Sequence, residues 1–245
     1  MPGTGVSAAA VICAAGASSR MEGKKKEYQR LGEGRLTVLG AVVKAFVSCP
    51  RIGPIVIAIP LDSDEGAALS SLPPEIINGP ELNRIHFVSG GPTRRSSVHN
   101  ALLRLEPYNP SHVLIHDGAR PWIKPELIEK ITDAVIRYGA VIPALPLSET
   151  PKEIAPGSGS GNETGEGPLY IKKHLRRAEL CTAQTPQAFR FSEILAAHEK
   201  AREREEREKI EYTDDAEVWG EFIGQVAVIS GDPENRKITY PGDLG

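Results

Sequence analysis

The chain has 245 residues, of which 40% are hydrophobic and 25% are charged, and its formal net charge at pH 7 is −3. This composition is typical of a globular protein and excludes both a disordered chain and a nucleic-acid-binding protein held mainly by a basic surface. The three cysteines, Cys13, Cys49 and Cys181, lie far apart and form no Cys-x-x-Cys pair, so the sequence predicts neither a disulfide framework nor a zinc site.

The first apolar segment, residues 8–17, is shorter than the roughly 18 residues that a membrane-spanning helix needs. It resembles the apolar part of a secretory signal, but no lysine or arginine precedes it, the first cation being Arg20. We therefore interpret its first part as a buried β-strand, and we expect a cytoplasmic enzyme or binding protein with no membrane span.

After this strand, short apolar runs alternate with segments of helical period, which is typical of β-α units and a largely parallel sheet. Most of the predicted strands are apolar on both faces, as a sheet covered by helices on both sides requires. The predicted elements are a strand at 8–15, a helix containing the stripe 39–47, strands at 54–59 and 85–88, a helix at 98–105, a strand at 112–116, a helix at 125–139, a strand at 140–145, a helix from about 192 and a strand at 226–230. The predicted fold is α/β, with a Rossmann-like, mostly parallel sheet between helices.

Two segments depart from this alternation. Residues 199–211 contain five cations and six anions, which favours a solvated helix face over a partner-binding surface. Residues 156–167 contain five glycines and two serines but no apolar residue, which predicts a loop or a hairpin tip. This tip lies within residues 148–177, an excursion too long for an ordinary connection in a compact domain.

A first polar cluster directly follows the first predicted strand, at the edge of the sheet where α/β proteins bind ligands. It reads Ala14-Ala15-Gly16-Ala17-Ser18-Ser19-Arg20, and Lys24-Lys25-Lys26 follows. Small residues let backbone N–H groups approach a phosphate, and the cations supply the opposite charge. The cluster matches neither a P-loop nor a Gly-x-Gly-x-x-Gly fingerprint. The spacing of the three lysines alone fits a solvated charge run equally well.

Two further clusters follow later strands. In Gly90-Gly91-Pro92-Thr93-Arg94-Arg95-Ser96-Ser97, we expect Thr93 or Ser96 to cap a helix whose N-terminus and arginines favour an anionic ligand. The other cluster is His116-Asp117-Gly118-Ala119-Arg120-Pro121, and its Asp-Gly pair is of a kind common in turns. Facing a phosphate site, however, Asp117 is a candidate ligand for Mg²⁺, which prefers one or two carboxylates together with phosphate oxygens and water. We expect His116 to be a packing residue.

These clusters and five further motifs, in this order, closely resemble the 2-C-methyl-D-erythritol 4-phosphate cytidylyltransferase family. The motifs are Ala14-Ala15-Gly16-Ala17-Ser18-Ser19-Arg20-Met21, Lys26-Glu27-Tyr28, Gly90-Gly91 with Arg94 to Val98, His116 to Pro121, Glu149-Thr150-Pro151-Lys152, Thr185-Pro186-Gln187-Ala188-Phe189, Thr213-Asp214-Asp215-Ala216 and Asn235-Arg236-Lys237-Ile238-Thr239. The resemblance runs from about Ala8 to Leu244. It implies one cytidylyltransferase domain over residues 1–245, with a protruding β-arm at about 148–178.

The resemblance also implies a reaction, in which CTP and methylerythritol phosphate form a cytidine diphosphate product and pyrophosphate on the non-mevalonate route to isoprenoids. The residues that it implies are Arg20 and Lys26 as catalytic cations, Asp117 as the ligand of Mg²⁺ or another divalent cation, Ala14, Ala15, Gly16, Gly91, Ser97 and Lys26 for CTP, and Arg177, Thr185, Thr213 and Lys237 for the alcohol phosphate. The arm would interlock with a second subunit, so that each site is shared in a homodimer.

The sequence departs from the family pattern near the first cluster. Ser18 stands where the family usually has a second glycine, and Lys25 where it usually has proline. The loop before Lys26 is about one residue shorter, which leaves Lys25 as an alternative phosphate-binding residue. Two other functions also remain open, a ribitol-5-phosphate cytidylyltransferase and a nucleotide-binding protein without catalysis.

Overall fold

The structure is a computed structural model that describes residues 8–16, 18, 21, 25–61, 65–156 and 167–244. Its strands in these residues are β1 (Ala8–Cys13), β2 (Ile52–Ile59), β3 (Ile85–Ser89), β4 (His112–Asp117), β5 (Ala140–Pro146), β6 (Lys152–Pro156), β7 (Leu169–His174), β8 (Cys181–Ala183), β9 (Gln187–Arg190) and β10 (Ala227–Ser230). Its helices are α1 (Val38–Val47), α2 (Glu65–Ser70), α3 (Pro74–Ile77), α4 (Arg94–Leu105), α5 (Pro125–Tyr138), α6 (Phe191–Glu208) and α7 (Asp215–Phe222).

The described strands form an eight-stranded main sheet in the order β10-β5-β9-β4-β1-β2-β3, with β8 paired to β5. β1 is parallel to β2 and β4, β2 is parallel to β3, and β10 is parallel to β5. β9 is antiparallel to both of its neighbours, β4 and β5, and β8 is antiparallel to β5. The sheet is therefore mixed but mostly parallel, which confirms the predicted fold class. The carboxyl ends of β1, β2, β3 and β4 meet at one edge.

Helices cover both faces of this sheet, and the central strand β1 shows why its sequence is apolar throughout. Ala8, Ala10 and Ile12 belong to the core on the side of α1 and α5, whereas Ala9 and Val11 face the core formed with α4, α6 and α7. All five side chains are fully buried. Since successive residues of a strand point to opposite faces, a strand covered on both sides has no position for an exposed polar side chain.

The end signals of the helix predicted at 125–139 have the expected roles. Pro125 occupies the first turn of α5, where its missing N–H leaves no hydrogen bond unmade. Gly139 follows the helix with a φ of +80° and donates its backbone N–H to the carbonyl of Val135 at 2.8 Å. A side chain at residue 139 would also collide with the guanidinium of Arg190. The Arg190 side chain is flexible and half exposed and can move, so the positive φ is the reason that glycine is favoured here.

The charged segment at 199–211 mostly fulfils its predicted role. Arg202 pairs with Glu199 and Glu206 on the exposed face of α6, at helical spacing. Glu205 differs, because its carboxylate lies 2.6 Å from Nε of the buried Arg95 and thereby joins α6 to α4. The segment is therefore a largely solvated face that also contacts α4 and α7 through ion pairs.

A separate two-stranded sheet, β6 paired antiparallel with β7, occupies part of the region predicted as an arm. Its apolar side chains Ile154, Leu169, Tyr170 and Ile171 are between 54% and 58% exposed. Most of the glycine-rich tip between the two strands, residues 157–166, lies outside the described residues. The ribbon therefore presents apolar side chains that are not packed against the main sheet.

Candidate active site

A cavity of about 460 Å³ opens at the carboxyl edge of the sheet, beside the start of α4. Its wall combines backbone after β1, at Ala15 and Gly16, with the loop after β3 and with Asp117 at the end of β4. Four cationic side chains also line it, namely Lys25, Lys26, Arg94 and Lys237. The first three polar clusters of the sequence thus meet in one place, as the parallel topology predicts.

Glycines allow the first two clusters to pack closely. A side chain at Gly90 would collide with Cβ of Ala15, and one at Gly91 would collide with the side chain of Ser96. The hydroxyl of Ser97 accepts a hydrogen bond from the backbone N–H of Gly91 at 3.0 Å and donates to the carbonyl of Thr93 at 2.9 Å. Backbone rather than side chains therefore forms this wall of the cavity.

The start of α4 is capped as predicted. Thr93 Oγ1 accepts a hydrogen bond from the backbone N–H of Ser96 at 3.1 Å, and Ser96 Oγ accepts one from the backbone N–H of Thr93 at 2.9 Å. This reciprocal capping box satisfies two N–H groups that the helix leaves without partners. Arg94 is the first residue inside the cap, so its side chain starts at the positive end of the helix.

Ser18 and Glu27 hold the lysine loop. The backbone N–H of Lys26 donates to Ser18 Oγ, and that hydroxyl donates to the carboxylate of Glu27, both at 3.3 Å. Ser18 has a φ of +50°, in the left-handed region that favours glycine, which is the residue that the family resemblance predicts at this position. Glu27 is 3% exposed, and burial raises its pKa. Both Lys25 and Lys26 reach the cavity wall, whereas Arg20 lies outside the described residues.

Asp117 is surrounded by three cations. Its carboxylate lies 2.9 Å from Nζ of Lys237, 3.5 Å from Nε of Arg94 and 3.6 Å from Nε of Arg120. Burial on its own would raise the pKa of Asp117, but Arg94, Lys237 and Arg120 hold it well below its usual range. Asp117 is therefore an anion throughout the neutral pH range.

The two other titratable groups at the ends of β1 and β4 are not suited to proton transfer or nucleophilic attack at neutral pH. Burial lowers the pKa of His116 to about 4, and the ring lies 5.3 Å from that of Phe46. Its Nδ1 lies 3.0 Å from Oγ1 of Thr185, so His116 is a packing residue, as predicted. Burial raises the pKa of Cys13 to about 12, which keeps it a neutral thiol.

The predicted site residues differ in whether they line the cavity. Ala15, Gly16, Gly91, Ser97, Lys26, Asp117 and Lys237 line the cavity, whereas Ala14 is buried directly behind it and donates its N–H to the carbonyl of Ala58 at 2.9 Å. Thr185 does not line the cavity itself but contacts a residue that does, since its Oγ1 accepts a hydrogen bond from the backbone N–H of Asp117 at 3.1 Å.

Two predicted substrate residues lie elsewhere in this protomer. Thr213 is exposed and its hydroxyl donates to the carboxylate of Glu217 at 3.0 Å. Arg177 is exposed near the arm and donates to the carbonyl of Ser148 at 2.7 Å. Neither side chain lines the cavity, so any role of theirs requires a partner subunit or a movement of the chain.

Three charged residues make contacts in or behind the site that the sequence did not predict. Arg94 was expected only to favour an anionic ligand, but its guanidinium also pairs with Asp117 and Asp215. Arg120 is the third cation that contacts the carboxylate of Asp117. Its position three residues after Asp117 was the available signal, because a turn at the end of a strand brings such residues together. Asp215 stands in the motif Thr213-Asp214-Asp215-Ala216, but nothing in its local sequence indicated that it pairs with Arg94.

The donor set limits the kind of metal site that is possible here. Among the described residues, no group of three or more His, Cys, Asp or Glu side chains could hold a metal ion. Mg²⁺ often takes a single carboxylate, with substrate phosphates and water completing its octahedron. In the part of the chain that the structure describes, Asp117 is therefore suited to hold a divalent cation only together with a polyphosphate, whose anionic oxygens would offset the three cations that already surround this carboxylate.

The described helices include none with the length and apolarity needed to cross a membrane. The cavity has backbone on one wall, and its other walls carry four cations and the carboxylates of Glu27, Asp117 and Glu211. This combination is suited to a phosphate ligand that binds the cations directly.

Comparison with known proteins identifies similar chains. A sequence profile described as IspD: 2-C-methyl-D-erythritol 4-phosphate cytidylyltransferase matches residues 8–245. The chain is 34% identical over 240 residues to the bifunctional enzyme IspD/IspF of Mesorhizobium japonicum, a match that covers 96% of this chain and 53% of the relative. It is 37% identical over 238 residues to the enzyme of that name from Nitrobacter winogradskyi, with 96% and 54% covered. The chain thus spans about half the length of these relatives.

Solved structures are also similar. The 4-diphosphocytidyl-2C-methyl-D-erythritol synthase of Anaerococcus prevotii has a TM-score of 0.76 and 28% identity, covering 97% of this chain and 92% of that chain. The 2-C-methyl-D-erythritol 4-phosphate cytidylyltransferase of Francisella tularensis has a TM-score of 0.74 and 26% identity, covering 97% and 96%. The fold of this chain therefore belongs to a known type of structure.

Proposed function

This chain belongs to the 2-C-methyl-D-erythritol 4-phosphate cytidylyltransferase family, and from that premise we propose that it transfers the cytidylyl group of CTP to 2-C-methyl-D-erythritol 4-phosphate. Pyrophosphate would be released, and the product would serve isoprenoid precursor synthesis by the non-mevalonate route. The observation that supports this proposal most is the meeting of Lys26, Arg94, Lys237 and Asp117 on the wall of one cavity.

In this proposal the nucleotide lies along the backbone walls. The cytosine would bind against the backbone of Ala14, Ala15 and Gly91 and near Ser97, where small residues keep side chains out of this wall of the cavity. The triphosphate would extend past Gly16 toward Lys25 and Lys26. Small residues and cations in this order supply both the short approach and the charge that phosphates require.

The transfer itself requires no general base. A phosphate monoester with a second pKa near ~6 is already largely a dianion at neutral pH, so one of its oxygens attacks the α-phosphorus directly. The bond from the α-phosphorus to the bridging oxygen breaks, and pyrophosphate leaves with the electron pair. Arg20 and Lys26 would stabilise the charge on the α-phosphate and on the leaving group. A divalent cation at Asp117 would supply further positive charge to these phosphates when bound.

The alcohol phosphate would lie on the other side of Asp117. Lys237 lines the cavity there, and Thr185 supports Asp117 from behind. Thr213 and Arg177 are proposed to complete this pocket, Arg177 by reaching the phosphate of a partner subunit's site. The exposed apolar side chains of the β6–β7 ribbon support a homodimer, since a surface of this kind is stabilised by packing against another chain.

We place this domain, residues 1–245 with the arm at about 148–178, in the cytoplasm. The free thiols of Cys13, Cys49 and Cys181 support a reducing compartment.

The experiment that tests the proposed function measures pyrophosphate release with CTP and either methylerythritol phosphate or ribitol 5-phosphate. We expect a clear preference in kcat/KM for methylerythritol phosphate, because Thr185, Thr213 and Lys237 stand in motifs of that family. Comparable kcat/KM values would favour the ribitol phosphate enzyme. Normal CTP binding without turnover of either alcohol phosphate would favour a nucleotide-binding protein.

A shared site predicts complementation between two impaired subunits when the alcohol phosphate is limiting. Arg177→Ala should raise the KM for the alcohol phosphate without altering CTP affinity, because an arginine contributes charge and a bidentate fork to a phosphate. When it is mixed with Lys26→Ala subunits, one of the two sites in each mixed dimer regains both residues, and activity should return. Arg176→Ala is the matched control, since Arg176 is the neighbouring exposed arginine and pairs locally with Glu179. Lack of complementation between subunits shown to exchange would contradict the shared site.

A further inference from the structure

Arg94 connects the cavity to a carboxylate buried outside it. Its Nε lies 3.5 Å from Oδ1 of Asp117 on the cavity wall, and its Nη1 lies 2.8 Å from Oδ2 of Asp215. The side chain of Asp215 is 1% exposed and does not line the cavity. The guanidinium is thus shared between a carboxylate that ligands can reach and one that they cannot.

Asp215 is in turn held from behind by His198. The imidazole of His198, in α6, is fully buried, and its Nε2 lies 3.2 Å from Oδ1 of Asp215. The backbone N–H of Asp215 donates to Oε1 of the buried Gln187 at 3.0 Å, which fixes the start of α7. The two carboxylate oxygens of Asp215 therefore face different partners, Arg94 on one side and His198 on the other.

The charges are consistent with a permanent ion pair. Burial on its own would raise the pKa of Asp215, but Arg94 and, to a smaller extent, His198 lower it below its usual value. A buried carboxylate is costly unless it is paired in good geometry. Asp215 offsets part of this cost through its 2.8 Å ion pair with Arg94, although neither of its oxygens has a hydrogen-bond partner of good geometry. The other edge of the Arg94 guanidinium faces Asp117, so the pair draws a group of the cavity wall toward Asp215.

From this geometry we propose that Asp215 and His198 are positioning residues for Arg94, and that they set how Arg94 is divided between Asp117 and the substrate phosphates. The inference rests on the proposed function, because the phosphates are those of the transfer reaction. Without the Asp215 carboxylate, Arg94 would turn fully toward Asp117, the nearest remaining anion. Asp117 would then be less available to Lys237 and to a divalent cation, and Arg94 less available to the phosphates.

Three substitutions test the proposal through kinetics. Asp215→Asn keeps the shape of the side chain but removes its charge, and it should lower kcat by about 10- to 100-fold, the range typical when a group that orients a site residue is lost. His198→Leu should lower kcat in the same direction. His198→Gln keeps an N–H group close to Oδ1 of Asp215 and should restore most of the lost kcat. The KM for CTP should change little in all three variants.

A second readout does not depend on turnover. In a ¹H–¹⁵N spectrum of arginine side chains, the Nε–H signal of Arg94, assigned with Arg94→Lys, should be sharp and slowly exchanging in the wild type and in His198→Gln. It should broaden or shift markedly in Asp215→Asn and His198→Leu. If His198→Leu does not fold, Asp215→Asn alone decides the outcome.

The control for a purely structural effect is Val135→Ala, which removes buried volume in α5 on the other face of the sheet. At temperatures well below its melting point, it should retain wild-type kcat and the Arg94 signal despite its lower stability. The proposal is overturned if Asp215→Asn keeps both wild-type kcat and an unchanged Arg94 signal, or if His198→Gln is as impaired as His198→Leu. A wild-type protein that releases no pyrophosphate would refute the proposed function, whereas an Arg94 signal that is unaffected by Asp215→Asn would refute the positioning role.

Discussion

Asp117→Asn is expected to abolish divalent-metal-dependent turnover, lowering kcat by about 10²- to 10³-fold or more, the scale of losing one preorganised electrostatic contact. The amide has the same shape as the carboxylate but is a poor ligand for Mg²⁺. The substitution also removes the anion shared by Lys237, Arg94 and Arg120. These cations would then be free for substrate phosphates, so CTP binding without metal should be retained or tightened.

The same substitution has an expected effect on stability, which separates loss of chemistry from loss of fold. Since the pKa of Asp117 is lowered in the folded protein, its contribution to stability is complete above the unfolded pKa of about 3.9 and is lost as the pH falls below that value. Urea unfolding should therefore show that Asp117→Asn is less stable than the wild type at pH 7. The difference should shrink in acid.

Asp133→Asn is the matched control for both effects. Asp133 is an exposed aspartate of α5 that pairs with Arg51, and its amide variant should leave turnover and the metal dependence unchanged. Near-wild-type kcat in Asp117→Asn, or stability differences that are the same at pH 3 and pH 7, would contradict the role given to this carboxylate.

Lys26→Ala should lower kcat by about 10²-fold, because it removes a cation from the developing charge on the phosphates. Lys25→Ala is the matched substitution one residue earlier, and it should mainly raise the KM for CTP. The difference follows from the loop, in which the backbone N–H of Lys26 is held by Ser18 Oγ and its side chain is 14% exposed on the cavity wall. Because its backbone is held in this way, the ammonium group of Lys26 can stay close to one position on the substrate phosphates.

Steady-state kinetics of the two variants decides between the lysines. A loss of kcat in Lys25→Ala but not in Lys26→Ala would transfer the role to Lys25, the alternative that the shortened loop allows. If Lys26→Ala raises only the KM for CTP, the lysine binds ground state and transition state equally and does not stabilise the transfer step.

Local sequence was sufficient to predict most of the main sheet. Strands such as β1 and β4 are buried on both faces, so each is an unbroken apolar run that a short window reveals. β9 was not predicted, because only four residues form it and two of these are Gln187 and Arg190. Its existence depends on pairing with β4 and β5, which lie distant in sequence.

Some features of the site were likewise predicted from the sequence, whereas others depended on the fold. Gly90-Gly91 and Asp117 were predicted by sequence alone, because they directly follow strands and the carboxyl ends of parallel strands meet at one edge. Lys26 and Lys237 were indicated by family motifs. That Lys237 contacts Asp117, and that Asp215 and His198 stand behind Arg94, was decided by the tertiary structure.

The physical reason is the range of the interactions involved. The apolar runs of the central strands, the period of the helices, capping at Thr93 and the turn at Gly139 are each set within a few residues, so the sequence by itself determined them. Burial and charge pairing depend on distance in space, which is set by how the chain crosses the sheet. Only the folded chain brings the start of α7 against the start of α4, and only there does Asp215 become a buried partner of Arg94.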